Sequence, residues 1–380
     1  MNQKRILIFS TAYFPLVGGA EVAMKEITDR LPDWQFDLVC ARIKKGLSNT
    51  EKIGNVTVHR VGFGHPIDKY LLSFLGPFVA LRVTRFALRV PIWSLMASYG
   101  GFAALVYTWI RPRSKMLLTL QEGDPLEHYA KRTGWLTSFH KKIFQRADQV
   151  QAISRFLADW AKKMGFKGDV TIVPNGVNVE RFAAMIPLEK RREIRQDLGY
   201  ADTDTVLVTA SRLSLKNGID DLIRSLSFLP TSFKALIVGE GEDEQKLKTL
   251  TEQKGLADRV QFLGKKDHGE LPALLQSSDI FVRASLSEGL GISFLEAMAC
   301  GIPIIGTPVG GIVDFLKEGE TGVFCQPRDP ESIAKAVTRI QSEPGLREKL
   351  VRQGAALVRE HYEWKGIAED MSRILKNISV

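Results

Sequence analysis

Short apolar runs alternate with amphipathic stretches through nearly the whole chain, and this alternation restricts the fold more than any other feature. In the first half the runs are "RILIFS", "FDLVCA", "VTVHRV", "PIWSLM", "KMLLTL", "QVQAIS" and "VTIVP". In the second they are "TVLVTAS", "KALIVGE", "VQFLG", "DIFVRAS" and "IPIIGT". Strands that alternate with helices predict parallel sheets covered on both faces, an α/β architecture. A chain of 380 residues exceeds one comfortable core, so two domains are expected. The pattern runs through "VTIVPNGVNVERF" and restarts after the charge-rich "LEKRREIRQDLGYADTD". The turn chemistry of "PNG" places the boundary at Pro174–Asn175, giving domains 1–174 and 175–363. No strand is expected after "GVFCQ"; the tail is helical, and its last helix, 364–380, is expected to pack back on the first domain.

Three cysteines, Cys40, Cys300 and Cys325, lie far apart with no Cys/His spacing. That argues against a zinc site and a disulfide framework and suits a reducing cytoplasm. "MNQKRILIFSTAYFP" has no small-residue cleavage site and reads as a first strand rather than a signal peptide. The net charge of +9 is uneven. Residues 1–174 hold 25 Lys and Arg against 13 Asp and Glu, or +12; the remainder holds 27 against 30, or −3. The first domain is therefore expected to meet an anionic partner. No recognised nucleic-acid module accompanies the charge.

Residues Val90 to Ile110 form 21 uncharged positions, long enough to span a bilayer. Pro91, Ser94, Ser98, Gly100 and Gly101 interrupt them, and the segment divides into a buried strand and a helix. Just upstream, Arg82, Arg85 and Arg89 fall at i, i+3 and i+7, with Phe78, Leu81, Phe86 and Leu88 on other faces. Such a helix suits either an anionic membrane surface or ordinary packing on a sheet.

Open parallel sheets bind ligands beyond the carboxyl ends of their strands. Four junctions in the second half fit that place. "SRLSLKNG" offers Arg212, Lys216 and Asn217; "VGEGEDEQKL" has Gly239 and Gly241; "FLGKK" has Gly264; and "SEGLGISFLE" follows "DIFVRA". Cations and glycine-exposed amides together suit a pyrophosphate. Glu288 and Glu296 can each accept the hydroxyls of a vicinal diol, which suits a sugar and a ribose. Ser293-Phe-Leu-Glu296 is also a capping box, the reading the motif favours when taken alone, in which Glu296 would merely satisfy a helix end.

Nearly the whole chain resembles retaining glycosyltransferases of the GT-B fold, in the GT4-type group: two Rossmann-like, doubly wound domains facing a central cleft. Glu288-x7-Glu296, within "SEGLGISFLEAMACGIPIIGTPVGG", matches the Glu-x7-Glu signature of that group. "VPNGVNVERF", "VGEGE", "RVQFLG" and "GGAE" (Gly18–Glu21) are similar to further signatures in the same order. The resemblance implies that Glu288 contacts the donor sugar and Glu296 the ribose. It assigns the diphosphate to the amides of Gly289, Leu290 and Gly291 and to the cations of "SRLSLKNG", with the Gly18–Gly19 loop closing over the donor. Two departures stand out. Asn217 occupies the slot where the family has Lys before Gly, which leaves Lys216 as the nearest cation. Gln121, followed by Glu122, stands on the acceptor side where many members carry His, and Gln cannot titrate near neutrality.

The resemblance thus implies a retaining transfer of a hexose-type sugar from a nucleotide-diphosphate-sugar. Glu288, Arg212 and Lys216 would be catalytic, and the leaving diphosphate would help take the acceptor proton. No DxD-type carboxylate pair is present, so neither a metal nor another cofactor is expected. The basic first domain suits an anionic or lipid-linked glycan acceptor, peripheral at the inner face of the cell membrane, with Arg82, Arg85 and Arg89 facing it. A nucleotide-sugar epimerase and a non-catalytic sugar-nucleotide-binding protein are the alternatives.

Overall fold

The computed structural model describes residues 4–16, 18–85, 89–123 and 137–379. The chain divides into two compact units, residues 1–176 with 364–380, and residues 177–363.

The first unit is built on eight strands: β1 (Lys4–Phe9), β2 (Trp34–Ala41), β3 (Thr50–Ile53), β4 (Val56–Val61), β5 (Ile92–Leu95), β6 (Met116–Leu120), β7 (Gln149–Ala152) and β8 (Val170–Ile172). Their order is β3-β4-β2-β1-β5-β6-β7-β8. All neighbours are parallel except β3 and β4, which pair antiparallel from Ile53↔Val56 to Thr50↔His59. Every residue of β5 and β6 is buried, as a strand covered on both faces requires. β3 had no counterpart among the apolar runs. It is a polar edge strand, and the Gly54–Asn55 turn alone returns it to β4, with Gly54 at φ 56°.

Between the strands lie α1 (Gly19–Asp29), α2 (Asp68–Val83) and α3 (Tyr99–Ile110), among others. The uncharged segment resolves into β5 and α3, and no helix among the described residues is long and apolar enough to cross a membrane. Cys40, Cys300 and Cys325 are buried and free. The terminal helix, Trp364–Ile378, seats Trp364, Ile367, Met371, Ile374, Leu375 and Ile378 in the core formed by β1, β2 and β4. Apolar residues at that spacing lie on one face of a helix. Each buried large side chain contributes about 1.5–3 kcal/mol, so this helix is part of the first unit's core although it lies last in sequence.

The arginine arc expected downstream of Phe78 does not form. α2 ends at Val83, where Thr84 Oγ1 donates back to Ala80 O at 2.8 Å, and Arg85 has φ 51°. Arg82 therefore lies on the helix and Arg85 and Arg89 beyond it, although all three are exposed. Phe86 and Leu88 lie outside the described residues. α2 is unusual in another respect: its solvent face is apolar. Ile67 just before it, then Tyr70, Phe74, Leu75 and Phe78, are all exposed, Phe74 at 71% and Phe78 at 62%.

The second unit holds β9 (Thr205–Ala210), β10 (Phe233–Val238), β11 (Val260–Phe262), β12 (Ile280–Arg283), β13 (Ile304–Gly306) and β14 (Val323–Phe324). They form an all-parallel sheet ordered β11-β10-β9-β12-β13-β14. The order runs outward from β9 in one direction and then from β12 in the other. β9 and β12 therefore flank the point where the winding reverses, which is where ligands enter such sheets. The core beneath includes Leu207, Ile237, Ile280, Val282, Ile305 and Val337.

Candidate donor site

The segments that leave β9 and β12 carry most of the candidate residues. After β9 the chain turns through Ser211 to Asn217 and enters a helix at Gly218, whose φ is 67°. A Cβ at Gly218 would lie 1.9 Å from Ala284 O, so only glycine lets this turn touch the neighbouring loop. Leu286 N donates to Lys216 O at 2.7 Å, which joins the two loops at the backbone. Arg212 is exposed and pairs with Glu242 through Nε at 3.1 Å; Lys216 is half-buried. After β10, Asp243 anchors the β9 turn by accepting from Leu215 N at 3.0 Å, while Gly239 and Gly241 lie against the backbone of Ser211 and Leu213. Gly264, after β11, accepts from Gly239 N at 2.8 Å.

The loop after β12 presents Glu288 with its side chain only 12% exposed. Glu288 Oε2 lies 2.5 Å from Arg283 Nη2, outside hydrogen-bond geometry, and it has no hydrogen-bond donor among the described residues. The charge pair with Arg283 holds this carboxylate in place at the end of β12, where a carboxylate can accept a ligand hydroxyl. The amides of Gly289, Leu290 and Gly291 likewise donate to no protein acceptor among the described residues. They sit at the start of the eight-residue helix Ile292–Ala299, where unpaired N–H groups attract anions.

The helix start also decides between the two readings of Ser293 and Glu296. The residue before the first turn is Gly291, with φ 93°, and not Ser293. Glu296 is therefore too far into the helix to return to the first amides, and Ser293 Oγ accepts instead from Arg283 Nη1 at 3.0 Å. Glu296 is buried, 3.6 Å from His268 Nδ1. Burial pushes its carboxyl up to about 7, against the opposing fields of Arg181 and Arg283. His268 and Arg181 went unnoticed in sequence because they lie on segments distant from Glu296.

In the first unit, Gly18 and Gly19 open α1, and the Gly18 amide is already taken by Glu21 Oε2 at 2.7 Å. Burial raises the Glu21 carboxyl above its usual range, partly offset by that amide. Gln121, at the end of β6, accepts from Asn175 Nδ2 at 2.9 Å. Glu122 is buried and accepts from Ala97 N and Gln121 N, both at 2.8 Å. It braces the loop from within and does not present its carboxylate to solvent. Burial holds that carboxyl at about 7 despite the two amides. His140 Nε2 reaches Ala97 O at 2.7 Å, and burial lowers its basicity.

Comparison with known proteins places the family and the fold. The family model described as Glycosyltransferase Family 4 matches residues 17–181, and that of Glycosyl transferases group 1 matches residues 190–357. The chain is 32% identical over 209 residues to an uncharacterized glycosyltransferase of Methanocaldococcus jannaschii, covering 54% of each. It is 29% identical over 248 residues to a GDP-mannose-dependent monoacylated alpha-(1-6)-phosphatidylinositol monomannoside mannosyltransferase of Corynebacterium glutamicum, covering 62% of this chain and 64% of that one. The chain thus spans just over half the length of the first relative and under two thirds of the second. The crystal structure of Anabaena HepE with UDP and glucose superimposes with a TM-score of 0.82 at 20% identity, covering 98% of this chain and 100% of that one, which shows the fold. With two Rossmann-like units in the GT-B manner and both family models matched in succession, the chain belongs to the GT4-type glycosyltransferases of group 1.

Proposed function

We propose that this nucleotide-sugar-dependent glycosyltransferase moves a hexose-type sugar with retention of anomeric configuration, using the second unit as its donor site. The observation that carries the reading is the grouping of a carboxylate and three amides at the end of β12. There Glu288, ion-paired with Arg283, stands beside three amides that donate to no acceptor among the described residues. A sugar hydroxyl satisfies the first and a diphosphate the second. Glu296, enclosed further along the same helix, accepts the ribose hydroxyls. Arg212 and Lys216 stabilise the negative charge that grows on the diphosphate as the glycosidic bond breaks, which is worth most where the donors are preorganised. A diphosphate oxygen then takes the proton of the acceptor hydroxyl as that hydroxyl bonds to the anomeric carbon on the face just vacated. No metal is needed for these steps, because the charge is met by side chains and amides.

The acceptor is a lipid-linked or anionic glycan at a membrane surface. Residues 1–174 carry +12, and α2 turns Tyr70, Phe74, Leu75 and Phe78 outward together with Arg82. A helix with aromatics and a cation toward solvent suits the headgroup region of an anionic bilayer. The phosphatidylinositol-linked substrate named for the Corynebacterium relative agrees with that choice.

Proton NMR of the product is the test. The purified protein, given UDP-, GDP- or ADP-hexoses and a membrane glycolipid extract, should form a product with the donor's anomeric configuration. Inversion, or a change in donor stereochemistry without acceptor, would contradict it.

A further inference from the structure

Arg283 is the last residue of β12, a cation at the end of the apolar run "IFV", with its side chain 12% exposed. It reaches three segments of the candidate site at once. Nη2 meets Glu288 Oε2 at 2.5 Å and donates to Asn217 Oδ1 at 2.9 Å, while Nη1 donates to Ser293 Oγ at 3.0 Å. Its guanidinium carbon stands 6.0 Å from the centre of the Phe294 ring. Asn217 passes the connection on, its Nδ2 donating to Arg212 O at 2.6 Å. One planar group therefore ties the turn bearing Arg212 and Lys216, the loop bearing Glu288 and the first turn of the following helix.

The chemistry of position 217 follows from this contact. Asn217 is buried and offers an acceptor to Arg283 and a donor to Arg212 O with one amide. A lysine there would place a second cation against the guanidinium and accept nothing from it. Positions 217 and 283 can thus hold one positive charge between them, but not two at low cost. Arg283 Nε is also buried without a hydrogen-bond acceptor among the described residues, so the group retains capacity for another anionic or polar partner.

We infer that Arg283 is a positioning residue of the donor site, supplying from β12 the fixed cation that the β9 turn lacks at Asn217 and aiming Glu288 at the donor. The inference rests on the donor-site reading above. It makes the pair 217/283 a unit in which the charge can be moved but neither removed nor doubled.

The test is a double-mutant cycle in the full chain with Arg283→Met, Asn217→Lys and both together. Donor affinity is read by calorimetry, kcat and KM by nucleotide release, and folding by Tm. Each single variant should lose activity, Arg283→Met through lost charge and Asn217→Lys through two adjacent cations. The double variant should recover about ten- to a hundredfold over the product of the two losses, as coupled neighbours do. A purely structural bridge would lower Tm in Arg283→Met and leave the double variant no more active than that product. Independent losses, or an Arg283→Met enzyme with wild-type kcat and KM, would overturn the inference while the donor site stands. A wild-type protein that binds no UDP-, GDP- or ADP-sugar would overturn the donor site and this inference with it. If Arg283→Met does not fold, Arg283→Lys decides. It keeps a charge but cannot span three acceptors, so kcat should fall and Asn217→Lys should not restore it; unchanged kcat would overturn the role.

Discussion

Gly310 is packed directly against Glu288: a Cβ at position 310 would lie 1.9 Å from Glu288 O, and Gly311 N donates to that same oxygen at 3.0 Å. The loop after β13 thereby fixes the backbone from which the Glu288 side chain projects. Gly310 has φ 55°, so a side chain there meets both strain and overlap. Gly310→Ala should lower kcat with donor at least tenfold and lower Tm as well, since the new Cβ overlaps the backbone beyond the carboxyl end of β13. Steady-state kinetics beside a thermal melt separates the two effects.

Arg212 is exposed and, among the described residues, pairs with the exposed Glu242, so removing it should barely affect stability. Arg212→Ala should instead raise the barrier by about 2.7–4 kcal/mol, the usual loss for a preorganised charge stabiliser. The decrease belongs mainly in kcat. A variant that turns over donor at the wild-type rate would remove Arg212 from the mechanism.

Glu296 gives a pH dependence with a definite sign. Its carboxyl is raised by burial to about 7, above the value of about 4.3 for an unfolded Glu. The folded state therefore favours the neutral form. The stability this contributes is fully present below about pH 4.3 and is lost as pH rises through about 7. In the proposed role Glu296 accepts the ribose hydroxyls in its ionised form, so donor affinity should increase over the same rise. Glu296→Gln should bind donor weakly with little slope around pH 7; an unchanged slope would reassign the titration.

The alternation of strands and helices was legible because buried parallel strands are apolar on both faces, and β5 and β6 show that pattern plainly. β3 was not legible, since a polar edge strand gives no apolar run. The Arg82–Arg89 arc failed because helical spacing continues in a sequence after the helix has stopped, and only Thr84 and Arg85 mark the end. The two readings of Glu296 were inseparable by spacing, because the start of the helix depends on the backbone of Gly291. Arg283 went unnoticed for a related reason: its link to Asn217, 66 residues away in sequence, exists only because β9 and β12 lie side by side in the sheet.

The apolar solvent face of α2 makes a separate prediction. The protein should sediment with anionic liposomes and be released by salt, and Phe74→Ser with Phe78→Ser should weaken that binding about tenfold or more without lowering Tm. Both residues are exposed, so the folded state loses little packing. Equal binding to neutral vesicles, or none to either, would count against a membrane-bound acceptor.

Transfer should also continue undiminished in EDTA, as the proposed mechanism meets the diphosphate charge with side chains and amides. Activity abolished by chelation and restored by a divalent cation would require a metal in the mechanism.

The most direct measurement is the release of nucleoside diphosphate from a UDP-, GDP- or ADP-hexose by the wild type, compared with Glu288→Gln at matched Tm. At least one donor should be consumed by the wild type with saturable kinetics, and the variant should be slower by a hundredfold or so. Equal rates in the two proteins would mean that the carboxylate beyond β12 takes no part in handling the sugar.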